Sequence, residues 1–212
     1  MRMQNNYDNI ATAYDFLSRL VFGKAQVNVQ LDLLTHITPD SRILIVGGGS
    51  GWILEELTKL YPEGLSITYV EISLKMLNRS KKRHYGANKV NFIHGAIESY
   101  IEKSLFDVVI TSFLFDNFSE QRVLQVFDLL DKKLLASGLW LFADFSVDEE
   151  SGKLWKKIIL ELMYKFFGLI CNVEAKKLVN MEVYFNNFSY LAIANYTRYL
   201  GFIKGAVYKR NT

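Results

Sequence analysis

The stretch Ile43-Leu-Ile-Val-Gly-Gly-Gly-Ser-Gly51 decides the fold class of this chain. Its first half is apolar and β-branched, as in a short buried strand, and its glycine loop leads into Trp52 to Leu60, where apolar residues recur at helical spacing. In a sheet built from strand, glycine loop and helix, ligands bind beyond the carboxyl ends of the strands, and glycine lets the backbone approach them closely. We therefore expect Gly47, Gly49 and Gly51 at a ligand site.

The same alternation of strand and helix continues on the carboxyl-terminal side of this stretch. Further buried-strand patterns are Leu65 to Val70, Val90 to His94, Phe106 to Thr111 and Leu139 to Phe145, with helical patterns at Leu74 to Arg83 and Ser119 to Leu135. Parallel strands covered by helices on both faces read as continuous apolar runs. The sequence predicts an α/β fold with a Rossmann-like, doubly wound, mostly parallel sheet, helices on both faces and a helical insertion after strand five.

The chain of 212 residues, half of them hydrophobic, is long enough for one well-filled core. We divide this single domain into N-terminal helices (residues 1–40), a ligand-binding core (41–145), a helical lid or insertion rich in aromatic residues (146–200) and a final strand (201–212).

Composition excludes several classes of function. The net charge of +3 is carried by dispersed Lys and Arg residues, so no nucleic-acid partner is implied. The single Cys171 excludes an intrachain disulfide and Cys-rich metal sites, and the three histidines lack zinc spacing, so no metal is expected. The apolar run Ile158 to Cys171 is shorter than the ~20 residues of a membrane span. With no signal-peptide pattern, we expect a cytoplasmic protein without integral membrane association, and the oligomeric state stays open.

The ligand class follows from the acid after strand two and from the loop spacing. Glu71 lies near the roughly 20-residue separation from the first glycine that is typical of an acid binding ribose hydroxyls. Both dinucleotides and S-adenosylmethionine contain such a ribose. The dinucleotide fingerprint requires a small residue where this chain has Trp52, so the spacing favours S-adenosylmethionine.

Four motifs in order carry a family resemblance. They are Ile43 to Gly51, Tyr69-Val-Glu-Ile-Ser-Leu-Lys-Met-Leu77, Phe106-Asp-Val-Val-Ile-Thr-Ser-Phe-Leu114 and Leu135-Ala-Ser-Gly-Leu-Trp-Leu-Phe-Ala-Asp-Phe145. Together they resemble the class I S-adenosylmethionine-dependent methyltransferases, particularly the group that includes ubiquinone and menaquinone biosynthesis methyltransferases. The resemblance covers about residues 7 to 145.

The resemblance implies a role for each matching residue. Gly47, Gly49 and Gly51 would face the methionine moiety, Glu71 the ribose, Ile72 one face of the adenine, Ala96 and Ile97 the adenine edge, and Ser112 and Phe113 the sulfonium, while Tyr7 and Tyr14 would close over the cofactor.

Two positions depart from the family pattern. Where the family usually has acids, this chain has Ile45 in the glycine motif and Ala96 near the adenine amino group. Each loss removes a hydrogen bond to a charged group, typically worth about 1.5–3 kcal/mol. The alternative functions are therefore a degenerate S-adenosylmethionine-binding or interaction protein without turnover and a nicotinamide-dependent oxidoreductase, against which Trp52 argues.

The acceptor is less determined than the cofactor. The aromatic segment from Trp155 to Phe188 would either line a pocket for a small, lipophilic or aromatic acceptor or bury a lid. Asp116, just past strand four, is the best-placed candidate for a base, although a loop acid in solvent is the more common role at such a position. His94, at the end of strand three, is more typical of a loop or core histidine than of a base. No other catalytic residue is assigned, and the atom that is methylated stays open.

Overall fold

A computed structural model of the chain describes residues 22–147, 153–171, 175 and 177–211. The helices are α1 (Ala25–Leu34), α2 (Trp52–Leu60), α3 (Leu74–Ser80), α4 (Glu120–Lys133), α5 (Lys153–Cys171) and α6 (Met181–Asn187). The strands are β1 (Arg42–Val46), β2 (Ser66–Glu71), β3 (Lys89–His94), β4 (Phe106–Ser112), β5 (Leu134–Phe145), β6 (Tyr190–Arg198) and β7 (Ile203–Arg210). Short 3₁₀ turns cover Ile97–Ser99 and Phe115–Asn117.

These strands form one sheet in the order β3-β2-β1-β4-β5-β7-β6. Strands β1 to β5 are parallel to one another, and Ile43 of β1 aligns with Ile67 of β2 and Val108 of β4. Strand β7 runs antiparallel to both β5 and β6. The strand order reverses between β1 and β4, where a doubly wound sheet leaves a crevice at the carboxyl ends of its strands.

Helices cover both faces of the sheet, as the sequence predicts. Val29 of α1, Leu54 of α2 and Leu160 of α5 belong to the buried cluster on one face. Val126 of α4 and Phe185 of α6 belong to the cluster on the other face. Because helices cover both faces of the sheet, successive side chains of the central strands are buried. This explains the uninterrupted apolar runs from which these strands were predicted. The Rossmann-like α/β prediction is confirmed.

The segment 146–200 is not helical throughout, which corrects the sequence prediction. Helices α5 and α6 lie in it, but β6 occupies Tyr190–Arg198 and pairs with β7, the expected final strand. The burial alternation of β6 is weak because it is an edge strand with one neighbour, and Leu191 and Ile193 are both more than half exposed. Without a clear two-residue alternation of buried and exposed side chains, the sequence pattern of an apolar strand cannot be distinguished from that of the neighbouring helices.

The boundary between α4 and β5 also differs from the prediction. Helix α4 ends at Lys133 and β5 begins at Leu134, so Ser137-Gly138 lies inside the strand instead of before it. The register between β4 and β5 shifts here, because Phe106 pairs with Leu134 whereas Val108 pairs with Leu139. The Ser-Gly pair marks this irregularity in the strand, a common place for glycine.

Two expectations concern the remaining segments. Of the N-terminal helices expected within residues 1–40, α1 is described, and residues 1–21 lie outside the described residues. Among the described helices, none is both long enough and apolar enough to cross a membrane.

Candidate functional site

A cleft opens at the point where the strand order reverses. Its walls come from the glycine loop, the ends of β2 and β4, the turn after β3, and α1. Most of the residues predicted for the cofactor line it together: Gly47, Gly49, Glu71, Ile72, Ala96, Ile97, Ser112 and Phe113. Five separate segments therefore converge on one site.

The glycine loop is packed so closely that side chains are excluded behind it. A Cβ atom at Gly48 would stand 2.4 Å from the ring of Tyr69, whose hydroxyl donates to the Gly49 carbonyl at 3.0 Å. Gly51 has φ +80° and precedes α2, and a Cβ there would stand 2.4 Å from the Cβ of Ser80. The structure thus places Gly51 behind the loop, against α3, whereas Gly47 and Gly49 line the cleft.

Glu71 joins the glycine loop to the start of α3. Its Oε2 accepts from the Gly49 N–H at 2.9 Å and its Oε1 accepts from the Ser73 N–H at 2.8 Å, with the residue only 5% exposed. A carboxylate only accepts hydrogen bonds, which suits it to donors such as main-chain N–H groups and hydroxyls. The side chain is therefore held in one orientation at the edge of the cleft.

Apolar residues form the part of the cleft beyond Glu71. Ile72 follows β2, and Ala96 and Ile97 begin the 3₁₀ turn after β3. On the opposite side Phe118 is covered by the guanidinium of Arg122, 4.2 Å from the ring centre. A flat, largely apolar group fits between these walls.

The carboxyl end of β4 turns sharply into the cleft. Phe113 has φ +53°, an uncommon backbone conformation for a residue other than glycine, and its ring lies 5.1 Å from that of Phe145. The Oγ of Ser112, also in the wall of the cleft, is buried and has no hydrogen-bond partner among the described residues. A polar group of a ligand could form the hydrogen bond that the Ser112 hydroxyl lacks.

Asp116 is buried, which corrects the interpretation of this residue as a loop acid in solvent. It is 8% exposed and lies in the 3₁₀ turn after β4 beside Asp144 of β5, which is 2% exposed. Burial raises the pKa of Asp116 to about 7. Burial and the neighbouring Asp116 charge also raise the pKa of Asp144 well above the usual carboxyl range. A carboxyl group that titrates near neutral pH is suited to proton transfer.

His94, the other histidine or acid considered as a base, lies outside this site. His94 is exposed, with its Nε2 3.1 Å from the Ile72 carbonyl oxygen, outside the residues that line the cleft. Tyr7 and Tyr14 lie outside the described residues. The described part of the chain holds no cluster of three metal-ligating side chains.

Sequence reasoning missed several residues of the site. Gln26 and Gln30 of α1 and Arg122 of α4 line the cleft. Tyr164 of α5 belongs to the aromatic segment expected at the acceptor, but its position near Asp116 and Asp144, whose charges together with burial raise its pKa, was not predicted. These residues come from helices that precede or follow the motifs, and none has a spacing signal relative to them. The one available signal was Asp144 itself, an acid at the end of an otherwise apolar strand.

Comparisons with known proteins agree with this geometry. The model of a methyltransferase domain family matches residues 43–138. The chain is 29% identical over 177 residues to the ubiquinone/menaquinone biosynthesis C-methyltransferase UbiE of Wigglesworthia glossinidia brevipalpis, covering 79% of this chain and 64% of the relative. It is 28% identical over 144 residues to a malonyl-[acyl-carrier protein] O-methyltransferase of Bacillus cytotoxicus, covering 68% and 49%.

The chain spans about half to two thirds of the length of these curated relatives. Among solved structures it is similar to CalO1, a methyltransferase in calicheamicin biosynthesis in its S-adenosylhomocysteine-bound form. The TM-score is 0.64 at 15% identity, over 93% of this chain and 56% of that one. At this identity the likeness shows the fold.

Proposed function

We propose that the chain is a class I S-adenosylmethionine-dependent methyltransferase similar to UbiE, and that it transfers a methyl group to a small, lipophilic or aromatic acceptor. The family and its S-adenosylhomocysteine-bound structural neighbour indicate S-adenosylmethionine as the cofactor. The observation that carries the proposal is the convergence of the glycine loop, Glu71 and the end of β4 on one cleft.

The residues present fit this cofactor. We assign Gly47 and Gly49 to the methionine moiety and Glu71 to the ribose hydroxyls. Ile72, Ala96 and Ile97 would hold the adenine, Ser112 and Phe113 would lie beside the sulfonium, and Tyr14 would close over the cofactor. Gly51 supports the loop from behind, where it leaves room for α3. The fit is supported by the fixed carboxylate of Glu71 and by the unsatisfied Oγ of Ser112 in the wall of the cleft.

The two departures from the family pattern lower the expected affinity without removing the site. Ile45 is 1% exposed and forms an apolar wall of the cleft, and Ala96 offers no side-chain acceptor. Since each missing hydrogen bond to a charged group is worth about 1.5–3 kcal/mol, we expect weaker cofactor binding than in relatives that have both acids.

We place the acceptor beside an aromatic cluster that begins at Phe113 in the wall of the cleft. Phe113 packs on Phe145, and Phe145 lies 5.2 Å from Phe202, which in turn contacts Trp155 of α5 at 5.7 Å. An apolar wall of this kind favours an apolar acceptor and excludes water from the reaction. We propose that α5 and the turn between β6 and β7 select the acceptor.

The bound cofactor supplies an electrophilic methyl group, and the protein's part is alignment. A cleft that fixes the methyl donor and an apolar wall that orients the acceptor bring nucleophile and methyl carbon into line, the main source of catalysis for such a displacement. We further propose a cytoplasmic location and a small-molecule acceptor, with no nucleic-acid partner, in agreement with the dispersed positive charge.

Methyl transfer can be tested with methyl-labelled S-adenosylmethionine and a panel of aromatic, lipophilic and charged small acceptors. We expect S-adenosylhomocysteine to form only when an apolar or aromatic acceptor is present. Binding of the cofactor without transfer to any member of the panel would contradict the enzyme proposal and favour a binding protein.

A further inference from the structure

Two buried carboxyl groups lie together at the carboxyl ends of β4 and β5. Asp144 is held by main-chain donors, because it accepts from the N–H of Phe145 at 2.8 Å and from the N–H of Asp116 at 3.3 Å. The carboxyl of Asp116 accepts from one other residue, the Nδ2 of Asn117 at 2.7 Å. Asp144 is therefore fixed in place, whereas Asp116 keeps more of its capacity to accept a proton.

No cation neutralises this pair within the described part of the chain. Lys204 of β7 is opposite Asp144 in the strand register, but its ammonium lies 3.2 Å from Glu182 of α6. Like charges in a buried site oppose each other, so the pair retains one proton near neutral pH. Tyr164 of α5 is the remaining titratable group that faces the pair, and burial and the two carboxyl charges raise its pKa, which keeps its hydroxyl protonated.

Two buried hydroxyl groups, the Oη of Tyr164 and the Oγ of Ser112, have no hydrogen-bond partner among the described residues. A buried hydroxyl without a hydrogen bond is rare and costly in a native structure. A polar atom of a ligand would satisfy them.

The pair is connected to the cofactor cleft. Ser112 and Asn117 both line it, and Asn117 is the residue that donates to Asp116. Phe113, between β4 and this turn, packs in the aromatic wall of the acceptor side. Asp116 is thus linked to the wall of the cleft through its hydrogen bond from Asn117.

We propose that Asp116 removes the proton from an aromatic hydroxyl of the acceptor, that Asp144 holds the other proton of the pair, and that Tyr164 and Ser112 bind the acceptor oxygen. This inference rests on the proposed methyltransferase function. The O–H bond breaks and its proton passes to the Asp116 carboxylate, while its electron pair stays on the phenolate oxygen. That pair forms the bond to the methyl carbon, the electrons of the carbon–sulfur bond return to sulfur, and Asp116 later releases the proton to solvent.

The arrangement specifies a substrate class. A carboxylate acceptor is already an anion, needs no base, and is repelled by the carboxyl pair. A phenol, with a pKa of about 10, is neutral at pH 7 and is within reach of a base that titrates near neutral pH. The structure therefore favours acceptors with an aromatic hydroxyl over acceptors with a carboxylate.

The test compares 4-propylphenol with 4-propylbenzoate as acceptors, using the wild type and the variants Asp116→Asn, Asp144→Asn and Tyr164→Phe. Asp107→Asn is the matched control, since Asp107 is an exposed acid at the opposite end of β4. Calorimetry with S-adenosylhomocysteine accompanies every variant, so that loss of the cofactor site is seen separately from loss of the base.

We expect transfer to the phenol and not to the benzoate, with kcat falling below about pH 7. Asp116→Asn should lower kcat at least 100-fold while leaving the S-adenosylhomocysteine Kd within two-fold. Asp144→Asn should keep the acidic limb and should lower kcat less than Asp116→Asn does, because the amide imitates the protonated carboxyl. Tyr164→Phe should raise the KM for the phenol more than it lowers kcat.

A second readout does not depend on turnover. The infrared band of a protonated carboxyl should be present at pH 8 in the S-adenosylhomocysteine complex of the wild type and absent from Asp144→Asn. The inference is overturned if the phenol is not methylated although S-adenosylhomocysteine binds, if the benzoate is preferred, or if Asp116→Asn keeps kcat within three-fold. Failure to bind S-adenosylhomocysteine at all would instead overturn the proposed function.

Discussion

The two halves of the site are built by different means. The cofactor half, from β1 to β3, is shaped mainly by backbone: the residues with positive φ in its loop are glycines, and Glu71 binds main-chain N–H groups. The acceptor half, at β4, β5 and the later segments, is shaped by side chains. Its residues with positive φ include Phe113, Tyr199 and Leu200, none of which is glycine.

This difference explains which half can be recognised from sequence. A backbone site requires the absence of side chains at fixed spacing, which leaves a glycine pattern close to its partners in the chain. A side-chain site is assembled over longer separations, as in the hydrogen bond from the Asp116 N–H to the carboxylate of Asp144, 28 positions away. The comparison predicts that the cofactor half tolerates added side chains poorly and that the acceptor half carries strain related to function.

The largest expected effect is on stability, from Gly51→Ala. The added Cβ combines a left-handed backbone with close contacts at 2.4 Å and 2.6 Å to Cβ and Cα of Ser80. We expect a loss of about 2–4 kcal/mol in the free energy of unfolding, measured by urea denaturation. Gly49→Ala is the control, because Gly49 also has positive φ but has nothing within 4 Å of the added atom. Equal losses for the two variants would show that packing behind the loop is unimportant.

The next effect concerns Glu71→Gln. The amide nitrogen that replaces one oxygen cannot accept from Gly49 or Ser73, and the ribose loses a charged partner. We expect at least ten-fold weaker binding of S-adenosylhomocysteine, equivalent to about 1.4 kcal/mol, by calorimetry. Glu56→Gln, on the surface of α2 with its ion pair to Lys59, should leave the Kd unchanged. An unaltered Kd in Glu71→Gln would reduce Glu71 to a structural acid.

A smaller effect is expected from Asp116→Asn on the pH dependence of stability. The pKa of Asp116 is about 7 in the folded chain and near 4 when unfolded, so the folded state binds more protons between these values. The free energy of unfolding of the wild type therefore falls as pH rises from about 4 to 7.

The Asp116→Asn variant has no buried carboxyl to ionise, so its free energy of unfolding lacks this decrease. We expect Asp116→Asn to be more stable than the wild type by at least about 1 kcal/mol at pH 8, with the difference vanishing near pH 4. Urea denaturation at both values measures it. A variant that is less stable at pH 8 would mean that other groups stabilise the charged Asp116 carboxylate in the folded chain. The proposed strain in the acceptor half would then be smaller than we expect.

The smallest effect is expected at the turn between β6 and β7. Leu200 has φ +52° and is 83% exposed, so its side chain gains little from packing while its backbone is strained. Asn adopts this conformation more readily, and Leu200→Asn should stabilise the fold by about 0.5–1 kcal/mol in thermal unfolding. Leu191→Asn, also exposed but within β6, should give no gain. A destabilised Leu200→Asn would indicate that Leu200 packs in solution.

The sequence predicted what depends on local pattern and missed what depends on distant packing. The succession of β1 to β5 along the chain, the glycine loop and the placement of Glu71 at the cleft were recognisable because apolar runs and glycine spacing report them directly. Strand β6 was missed because one face of an edge strand has little burial to display. The burial of Asp116 was missed because it depends on Asp144, 28 positions away, and on α5.

Calorimetric titration of the purified chain with S-adenosylhomocysteine and, separately, with NAD⁺ tests the central claim most directly. The convergence of Gly49, Glu71 and Ile72 on one cleft predicts saturable binding of S-adenosylhomocysteine at one site per chain and no heat of binding for NAD⁺. Saturable binding of NAD⁺ with no response to S-adenosylhomocysteine would contradict it.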